Sequence, residues 1–198
     1  MQASFDPMTI RRFGLILGAA SLFGASGCTG GGSPTAERTV PVSFTGGFAI
    51  GANDYGRPVP LYAAMLGVTP TVFRAAFAGV RPDGAHAPTG AQQQANKAAL
   101  MSVLAAYDVT NDRLDEVANY YRFDSSRGQT WPQRSAHAEA VVSGGRVIAI
   151  RILDAGVGYT QAPTATVPGY PNATLTASVA FTSSFATNGH VSAVTIAG

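Results

Sequence analysis

Cysteine is almost absent from this chain, because Cys28 is the only one among 198 residues. A single cysteine excludes an internal disulfide. Charge is scarce as well, with 12% charged residues and a formal net charge of +2. So small a surplus, without basic runs, gives no electrostatic reason to expect a nucleic-acid partner.

Recognisable catalytic motifs are missing too. The sequence contains no G-x-S-x-G elbow, no H-E-x-x-H motif and no P-loop lysine, and its three histidines, His86, His137 and His190, lie in different segments. His137 and Glu139 would share one face of a strand, but two residues specify little, and we expect a polar strand face rather than a metal site. We therefore predict no catalytic residue, no metal site and no cofactor.

An export signal stands at the N-terminus. Two arginines at 11–12 precede an apolar run at 13–23, which is too short to span a bilayer and is typical of a secretory signal peptide at 1–27. The following ASGC at 25–28 resembles a bacterial lipobox, with alanine where that pattern prefers leucine. The resemblance implies lipidation of Cys28; ordinary signal-peptide cleavage is the alternative. Both the general secretory route and the twin-arginine route stay open.

Composition divides the rest of the chain into three parts. The stretch TGGGSPTAER, which follows Cys28, is rich in glycine, serine and proline and predicts a flexible tether at 28–38. A helical domain at 39–125 and a β-repeat domain at 126–198 follow. The predicted fold class is α+β, with a small N-terminal helical part of about four helices and a C-terminal antiparallel β part.

The predicted helices lie between residues 58 and 122 and have marked beginnings. Thr69 and Thr89 are N-cap candidates for two of them, and Thr110 or Asn111 caps another. The junction LGVTPTVFRAAF is similar to YDVTNDRLDEVA at an offset of 41 residues, which indicates either a duplication or two uses of one turn. The first junction also resembles the turn of helix-turn-helix repressors. Because the segment has few basic residues and the chain is predicted to be exported, we expect a small helical core rather than DNA binding.

The β part contains a repeat. A hairpin is predicted from 137–142 and 147–153, joined through Gly144-Gly145, and residues 175–181 alternate as a half-buried strand. GRVIAIRILD at 145–154 matches GHVSAVTIAG at 189–198, an offset of 44 residues. The last strand either closes the sheet or leaves an edge for a neighbour, so a homo-oligomer through this exposed C-terminal β edge is one expectation.

Two resemblances bear on the whole chain. GRVIAIRILDAGVGYTQAPT resembles the β-repeat G-x-V-x-x-I-x-I-x-x-x-G-x-G-Y-T-x-x-P-T of bacterial surface and phage tail or fibre proteins, of which the chain holds one and a half copies. Residues 96–123, with NDYGRPVPLYAAMLGV and TWPQRSAHAEAVV, are similar to uncharacterised exported proteins of environmental bacteria such as planctomycetes. The resemblance implies no activity, cofactor or catalytic residue. GVG at 156–158 lacks the third glycine and the following helix of a dinucleotide-binding loop, so we interpret it as a strand corner.

Aromatic and basic side chains gather where the helical part meets the β part. Tyr120, Arg122, Arg127 and Trp131 are the candidate ligand-binding residues, because aromatic walls with a few polar groups are common in ligand sites at domain junctions. The alternative is that Tyr121 and Trp131 only seal the interface.

A second polar cluster is NDYGRP at 53–58. A turn followed by a helix N-terminus explains its asparagine, aspartate, glycine and proline. Arg57 alone is left over, and we expect a salt bridge to an acidic residue to account for it.

These patterns together predict a protein exported to the cell envelope, at the outer membrane or cell surface as a lipoprotein, or secreted. We expect a noncatalytic interaction or structural module that binds an envelope or extracellular polymer or a protein partner, and that contacts the membrane through a lipid at Cys28. The alternative is a secreted hydrolase that acts on envelope or extracellular polysaccharide.

Overall fold

The computed structural model describes residues 36–54, 56–80 and 89–197. The predicted signal peptide, the lipidation of Cys28 and all but the last three residues of the predicted tether fall on residues 1–35 and lie outside the described residues, as does His86. Within the described ranges, no helix combines the length and the apolar character needed to cross a membrane.

Helices occupy the first half of the described chain, as predicted. The four α-helices of the described residues are α1 Val59–Met65, α2 Pro70–Phe77, α3 Gly90–Leu104 and α4 Asn111–Tyr120. Short 3-10 turns follow α3 at Ala105–Tyr107 and α4 at Ser125–Arg127. The α+β class predicted from the sequence is confirmed.

Threonine caps begin three of these helices. The hydroxyl oxygens of Thr69, Thr89 and Thr110 each accept a hydrogen bond from the backbone N–H three residues later, at 3.2 Å. Each bond satisfies an amide that has no partner inside its helix. The predicted caps are confirmed, and of the two candidates at the fourth helix it is Thr110 that caps.

The two similar helix junctions share one backbone geometry. Gly67 and Asp108, which are 41 residues apart, both adopt a left-handed conformation, with φ of 70° and 60°. A valine and the capping threonine follow in each case. The offset found in the sequence therefore corresponds to the same tight turn in the structure.

Seven strands of the described residues form three antiparallel sheets with four strand pairings. They are β1 Arg38–Pro41, β2 Ser43–Thr45, β3 His137–Ser143, β4 Arg146–Asp154, β5 Thr164–Thr166, β6 Leu175–Ala180 and β7 His190–Ile196. Their order within the sheets is β1-β3-β4, β2-β5 and β6-β7. The hairpin of β3 and β4 turns at Gly144-Gly145, as predicted, with positive φ at both glycines.

The sequence repeat corresponds to two hairpins of the same design. In β4 the register with β3 skips Ile148, and in β7 the register with β6 skips Ser192, so each strand carries a β-bulge at that residue. These bulges are 44 residues apart, the same offset as the sequence repeat. The predicted strand at 175–181 is one residue shorter, because Phe181 lies outside β6 and is 39% exposed.

All seven strands contribute to the interior of the β part. Its buried centre consists of small side chains, namely Val42, Ala138, Ala140, Ala165, Val167 and Ala177. Alanines let opposite strands approach closely around a narrow core. β7 pairs with β6 in a two-stranded sheet and lies beside β4, but among the described strands it does not join the β1-β3-β4 sheet. Pairing with a second copy stays a prediction.

The described residues belong to one compact unit. Phe73, Leu104, Leu114, Val117 and Tyr121 pack around α1 in the helical core. β1 and β2 lie within the range that the sequence assigned to the helical domain, but they pair with β3 and β5. The ordered strand begins at Arg38, one residue before the predicted start of that domain.

Candidate functional site

Trp131 does not line a surface site. Its side chain is 3% exposed, its Nε1 donates a hydrogen bond to the carbonyl of Gly158 at 2.8 Å, and its ring packs on Phe123. Because almost none of the Trp131 side chain is exposed, neither face of its ring can contact a ligand. Trp131 therefore seals the junction between helices and strands, which is the alternative that the sequence left open.

The side chains of the other three candidate residues contact different parts of the protein. Tyr120 is half-buried and packs on Phe185, with ring centroids 4.1 Å apart. Arg127 is 78% exposed and pairs with Asp124 at 3.1 Å. Arg122 lines a surface depression that neither Tyr120 nor Arg127 lines. The structure therefore does not bring the four predicted residues together in one site.

The depression beside Arg122 has a volume of about 340 Å³. It lies between the start of α1 and the end of α4. Its lining consists of small, aromatic and basic residues: Gly56, Arg57, Tyr62, Ala118, Tyr121, Arg122 and Phe123.

A larger cavity of about 620 Å³ adjoins this depression and shares Arg57, Tyr62 and Ala118 with it. Its apolar lining includes the half-buried Phe77, Val80 and Leu100 and the buried Tyr62, Phe73 and Leu114. Its polar lining includes Gln93, Gln94 and Asn96 of α3. We call the depression and the cavity together the helical-face groove.

An ion pair also lines the helical-face groove. Lys97 of α3 and Asp115 of α4 lie 2.6 Å apart between their charged atoms. Asp115 is the acidic residue among the described groove residues. Because it is already paired, the groove does not present an isolated carboxylate.

Arg57 lies on an aromatic ring. Its guanidinium carbon is 4.4 Å from the centroid of the Phe77 ring, within the range of a cation–π contact. Burial lowers the pKa of Arg57 below its usual value, yet an arginine keeps its charge at neutral pH. The acidic residue of the same turn, Asp54, is 4% exposed and pairs with Arg74 at 2.7 Å.

Two buried tyrosines, Tyr62 and Tyr121, belong to the lining of the depression. Burial raises the pKa of Tyr62, whereas the nearby charges of Arg57 and Arg122 act in the opposite direction. Burial also raises the pKa of Tyr121 to about 12. Both guanidinium groups therefore lie close enough to Tyr62 to influence its hydroxyl.

Sequence reasoning missed most of the helical-face groove. It singled out Arg122, which lines the depression, but it gave Arg57 only a salt bridge and gave Tyr62 and Phe77 no role at the surface. These side chains come from three helices that have no common motif. The available signal was a basic residue, Arg57, that turn chemistry left unexplained.

Another cavity, of about 580 Å³, lies at the end of the β part. The turn between β3 and β4 contributes Arg146, and the loop between β5 and β6 contributes Tyr170 and Asn172. Arg38 donates a hydrogen bond to the Tyr170 hydroxyl. This cavity lacks the aromatic floor of the helical-face groove.

Metal-binding side chains are scattered in the structure. Across residues 36–54, 56–80 and 89–197, no three or more histidine, cysteine or acidic residues come together to hold a metal ion. His137 and Glu139 lie on β3 opposite Asp154 and Arg151 of β4.

No family model, curated protein or solved structure matches the chain. What the groove can bind therefore has to follow from the residues that line it. They offer an aromatic floor, amide side chains and two guanidinium groups, which suit binding better than bond cleavage.

Proposed function

We propose that the protein is an exported, lipid-anchored interaction module of the cell envelope that binds a polymer or protein partner without catalysis. The observation that carries this proposal is the helical-face groove, which combines an aromatic floor with amide and guanidinium groups. Aromatic side chains supply contact area, and a few convergent polar groups supply orientation.

The composition of the groove supports a noncatalytic role. Enzymes that hydrolyse glycosides in the usual way use a pair of carboxylates at a defined separation. Among the described residues of the groove, Asp115 is the acidic one, and Lys97 neutralises it. An interaction module needs no such pair.

The proposed location follows from the sequence alone. The signal at 1–27, the lipobox-like ASGC and the short tether would place the compact unit close to a membrane surface. Incorporation of labelled palmitate by the full chain in a bacterial host tests this. We expect labelling of the parent protein and none of Cys28→Ala; equal labelling of both would refute an anchor at Cys28.

A binding screen tests the proposed function. The full-length protein, purified in detergent, is applied to a glycan array and incubated with a panel of chromogenic glycosides. We expect binding to at least one glycan or polymer and no turnover. Hydrolysis of a glycoside without any binding would contradict the proposal.

A groove variant and a matched control assign any binding to the site. Gln93 and Gln94 are exposed on α3, so the double change to alanine should preserve the helix. We expect this variant to weaken binding by about fivefold or more, a modest effect for contact residues. Gln161→Ala, at an exposed position outside the groove, should leave binding unchanged.

A further inference from the structure

We propose that the cavity at the end of the β part, lined by Arg146, Tyr170 and Asn172, binds the phosphate group of an anionic phospholipid in the membrane that holds the protein. We call it the tether-end cavity. This inference rests on the lipid anchor of the proposed function and adds a second contact with the same membrane. It depends on the position of the cavity, on two arginines without a carboxylate partner and on an exposed apolar side chain nearby.

The tether-end cavity lies where the predicted tether enters the fold. β1 begins at Arg38, which pairs with Val142 just before the β3–β4 turn, and Arg146 follows that turn. Arg38 also donates a hydrogen bond to the hydroxyl of Tyr170 in the cavity lining. Cys28 comes ten residues before Arg38, and a flexible chain of that length has a root-mean-square span of about 18 Å. A lipid on Cys28 would therefore keep this end of the β part closest to the headgroups.

Arg146 is exposed and its side chain has no partner among the described residues. Arg38 contacts Tyr170 and likewise forms no ion pair with a described residue. No acidic residue occurs among the described residues that line the cavity, and Glu37, which precedes Arg38, lies outside the lining. The planar fork of a guanidinium matches two oxygens of a phosphate group, so Arg146 is available to bind one.

Two further polar groups of the lining suit a phosphoglycerol headgroup. The Tyr170 hydroxyl accepts a hydrogen bond from Arg38, so its own proton can be donated to a phosphate oxygen. Asn172 is exposed, and its amide can bond to the hydroxyl groups of a headgroup. The volume of the cavity, about 580 Å³, is within the range of small-molecule sites. A headgroup can therefore enter the cavity and meet Arg146, Tyr170 and Asn172 together.

An exposed apolar side chain favours a bilayer over a free anion as the source of the phosphate group. Ile148 is 51% exposed and lies at the bulge of β4, two residues after Arg146. An isoleucine beside a cation can enter the apolar edge of a bilayer while the cation stays among the headgroups. Tyrosine also suits this depth, because its ring is apolar and its hydroxyl is polar. A free phosphate ion would use Arg146 but not Ile148.

Quenching of a fluorophore by nitroxide-labelled lipid headgroups tests the proposal on the full chain in vesicles. Every protein carries Cys28→Ala, so the introduced cysteine is the only thiol and the result does not depend on lipidation. The uncleaved apolar run at 13–23 holds the chain to the vesicle, and flotation measures the attached fraction. The fluorophore is placed at Thr174→Cys, next to Ala173 of the lining, or at Gln161→Cys, an exposed position at the other end of the β part.

We expect stronger quenching at position 174 than at position 161, and only in vesicles that contain phosphatidylglycerol beside phosphatidylcholine. Arg146→Gln should raise the phosphatidylglycerol content needed for half-maximal quenching about fivefold, since one basic residue near an anionic surface contributes a factor of that size. Arg151→Gln removes one positive charge from an exposed position farther along β4 and should leave that content unchanged. A thermal unfolding curve for each variant distinguishes a lost contact from a lost fold.

Other outcomes would overturn the inference. Equal quenching at the two positions, or equal effects of Arg146→Gln and Arg151→Gln, would exclude a specific lipid site in the cavity. Calorimetric titration with inorganic phosphate covers the other source of the same group. Phosphate binding that Arg146→Gln abolishes, without phosphatidylglycerol-dependent quenching at position 174, would assign the site to a free anion instead. None of these outcomes changes the palmitate labelling or the glycan-array result, so the proposed function is tested separately.

Discussion

Asn188 is a fully buried polar residue that ties the helices to the strands. Its Nδ2 donates to the carbonyl of Leu61 at 2.9 Å and to the hydroxyl of Tyr121 at 3.0 Å. Its Oδ1 accepts from the backbone N–H of Thr182 at 3.1 Å. One side chain thus satisfies three groups from α1, the end of α4 and the loop before β7.

Replacement of Asn188 by alanine should destabilise the protein strongly. The change leaves buried partners without a hydrogen bond, and we expect the free energy of unfolding to fall by about 3 kcal/mol. Chemical denaturation of both proteins measures it. Asn172→Ala, at an exposed loop position, is the control and should change the value by less than about 0.5 kcal/mol. Equal effects of the two changes would contradict the proposed role of Asn188.

The pKa of Tyr121, raised by burial to about 12 from an ordinary 10.0, predicts a loss of stability in base. The unfolded chain releases this proton near pH 10 and the folded one near pH 12, so between these values the folded state binds more protons. The contribution of Tyr121 to the free energy of unfolding should therefore be fully present below pH 10 and be lost as the pH rises to 12, by at most about 1.4 kcal/mol for each pH unit. Denaturation at several pH values measures this slope.

The matching variant is Tyr121→Phe, which has no proton to release. Its stability should start lower, because Asn188 loses a partner, but should decline less steeply between pH 10 and pH 12. If parent and variant decline in parallel, another group is responsible for the alkaline loss.

At the scale of elements, the two helix junctions show which features of a turn can be predicted from neighbouring residues. The capping threonines and the valines before them predicted both turns, because cap and turn chemistry depends on neighbouring residues only. The residue at the left-handed position differs, however. It is Gly67 in the first junction and Asp108 in the second.

This difference predicts a stabilising substitution. A left-handed backbone is strained for a residue with a Cβ and is free of that strain for glycine. Asp108 is exposed, so Asp108→Gly should raise the free energy of unfolding by about 0.5–1 kcal/mol. Gly67→Ala is the reciprocal change and should lower it by about 1 kcal/mol. Thermal denaturation compares them, and a loss of stability in Asp108→Gly would show that its carboxylate matters more than the strain.

The two hairpins are the other repeated element. The alternation of Ile150 and Ile152 in the first copy, and of Val194 and Ile196 in the second, predicts one buried face for each strand. Ile150, Ile152 and Val194 pack against the β core, and Ile196 is not part of it. The matching bulges at Ile148 and Ser192 were not predicted. A bulge depends on the partner strand, whose register the repeat alone does not specify.

At the scale of the whole molecule, the GVGYT corner is the point where helices and strands meet. The ring of Tyr159 is 1% exposed and stacks on Phe48 at 4.3 Å, and its hydroxyl accepts from the N–H of Ala136 at 2.9 Å. The N–H of Tyr159 donates to the carbonyl of Gly189. The sequence interpretation of this stretch as a strand corner agrees with this geometry.

Gly189 should tolerate no side chain, because the backbone of Tyr159 packs directly against it. A Cβ there would collide with the carbonyl oxygen of Tyr159 and lie 2.6 Å from a methyl carbon of Leu61. We expect Gly189→Ala to cost more than about 3 kcal/mol in the free energy of unfolding. Gly169→Ala separates packing from backbone strain, because Gly169 also has a positive φ but no described atom lies within 4 Å of its Cβ position.

The Gly169 control should cost about 1 kcal/mol, which is the strain alone. Urea denaturation of both variants provides the comparison. If the two alanine variants prove equally stable, close packing at the corner does not matter to the fold.

The sequence by itself determined the class of fold, the helix beginnings, the hairpin turn and the face of each repeated strand. Caps, turns and alternation act over a few residues, so their signals are local. Only the tertiary structure decided the candidate site. It buried Trp131, left Arg122 at the surface and placed Arg57 and Tyr62 beside it. Residues 57 and 122 come together because α1 and α4 pack in one core, and such long-range packing depends on the whole chain at once.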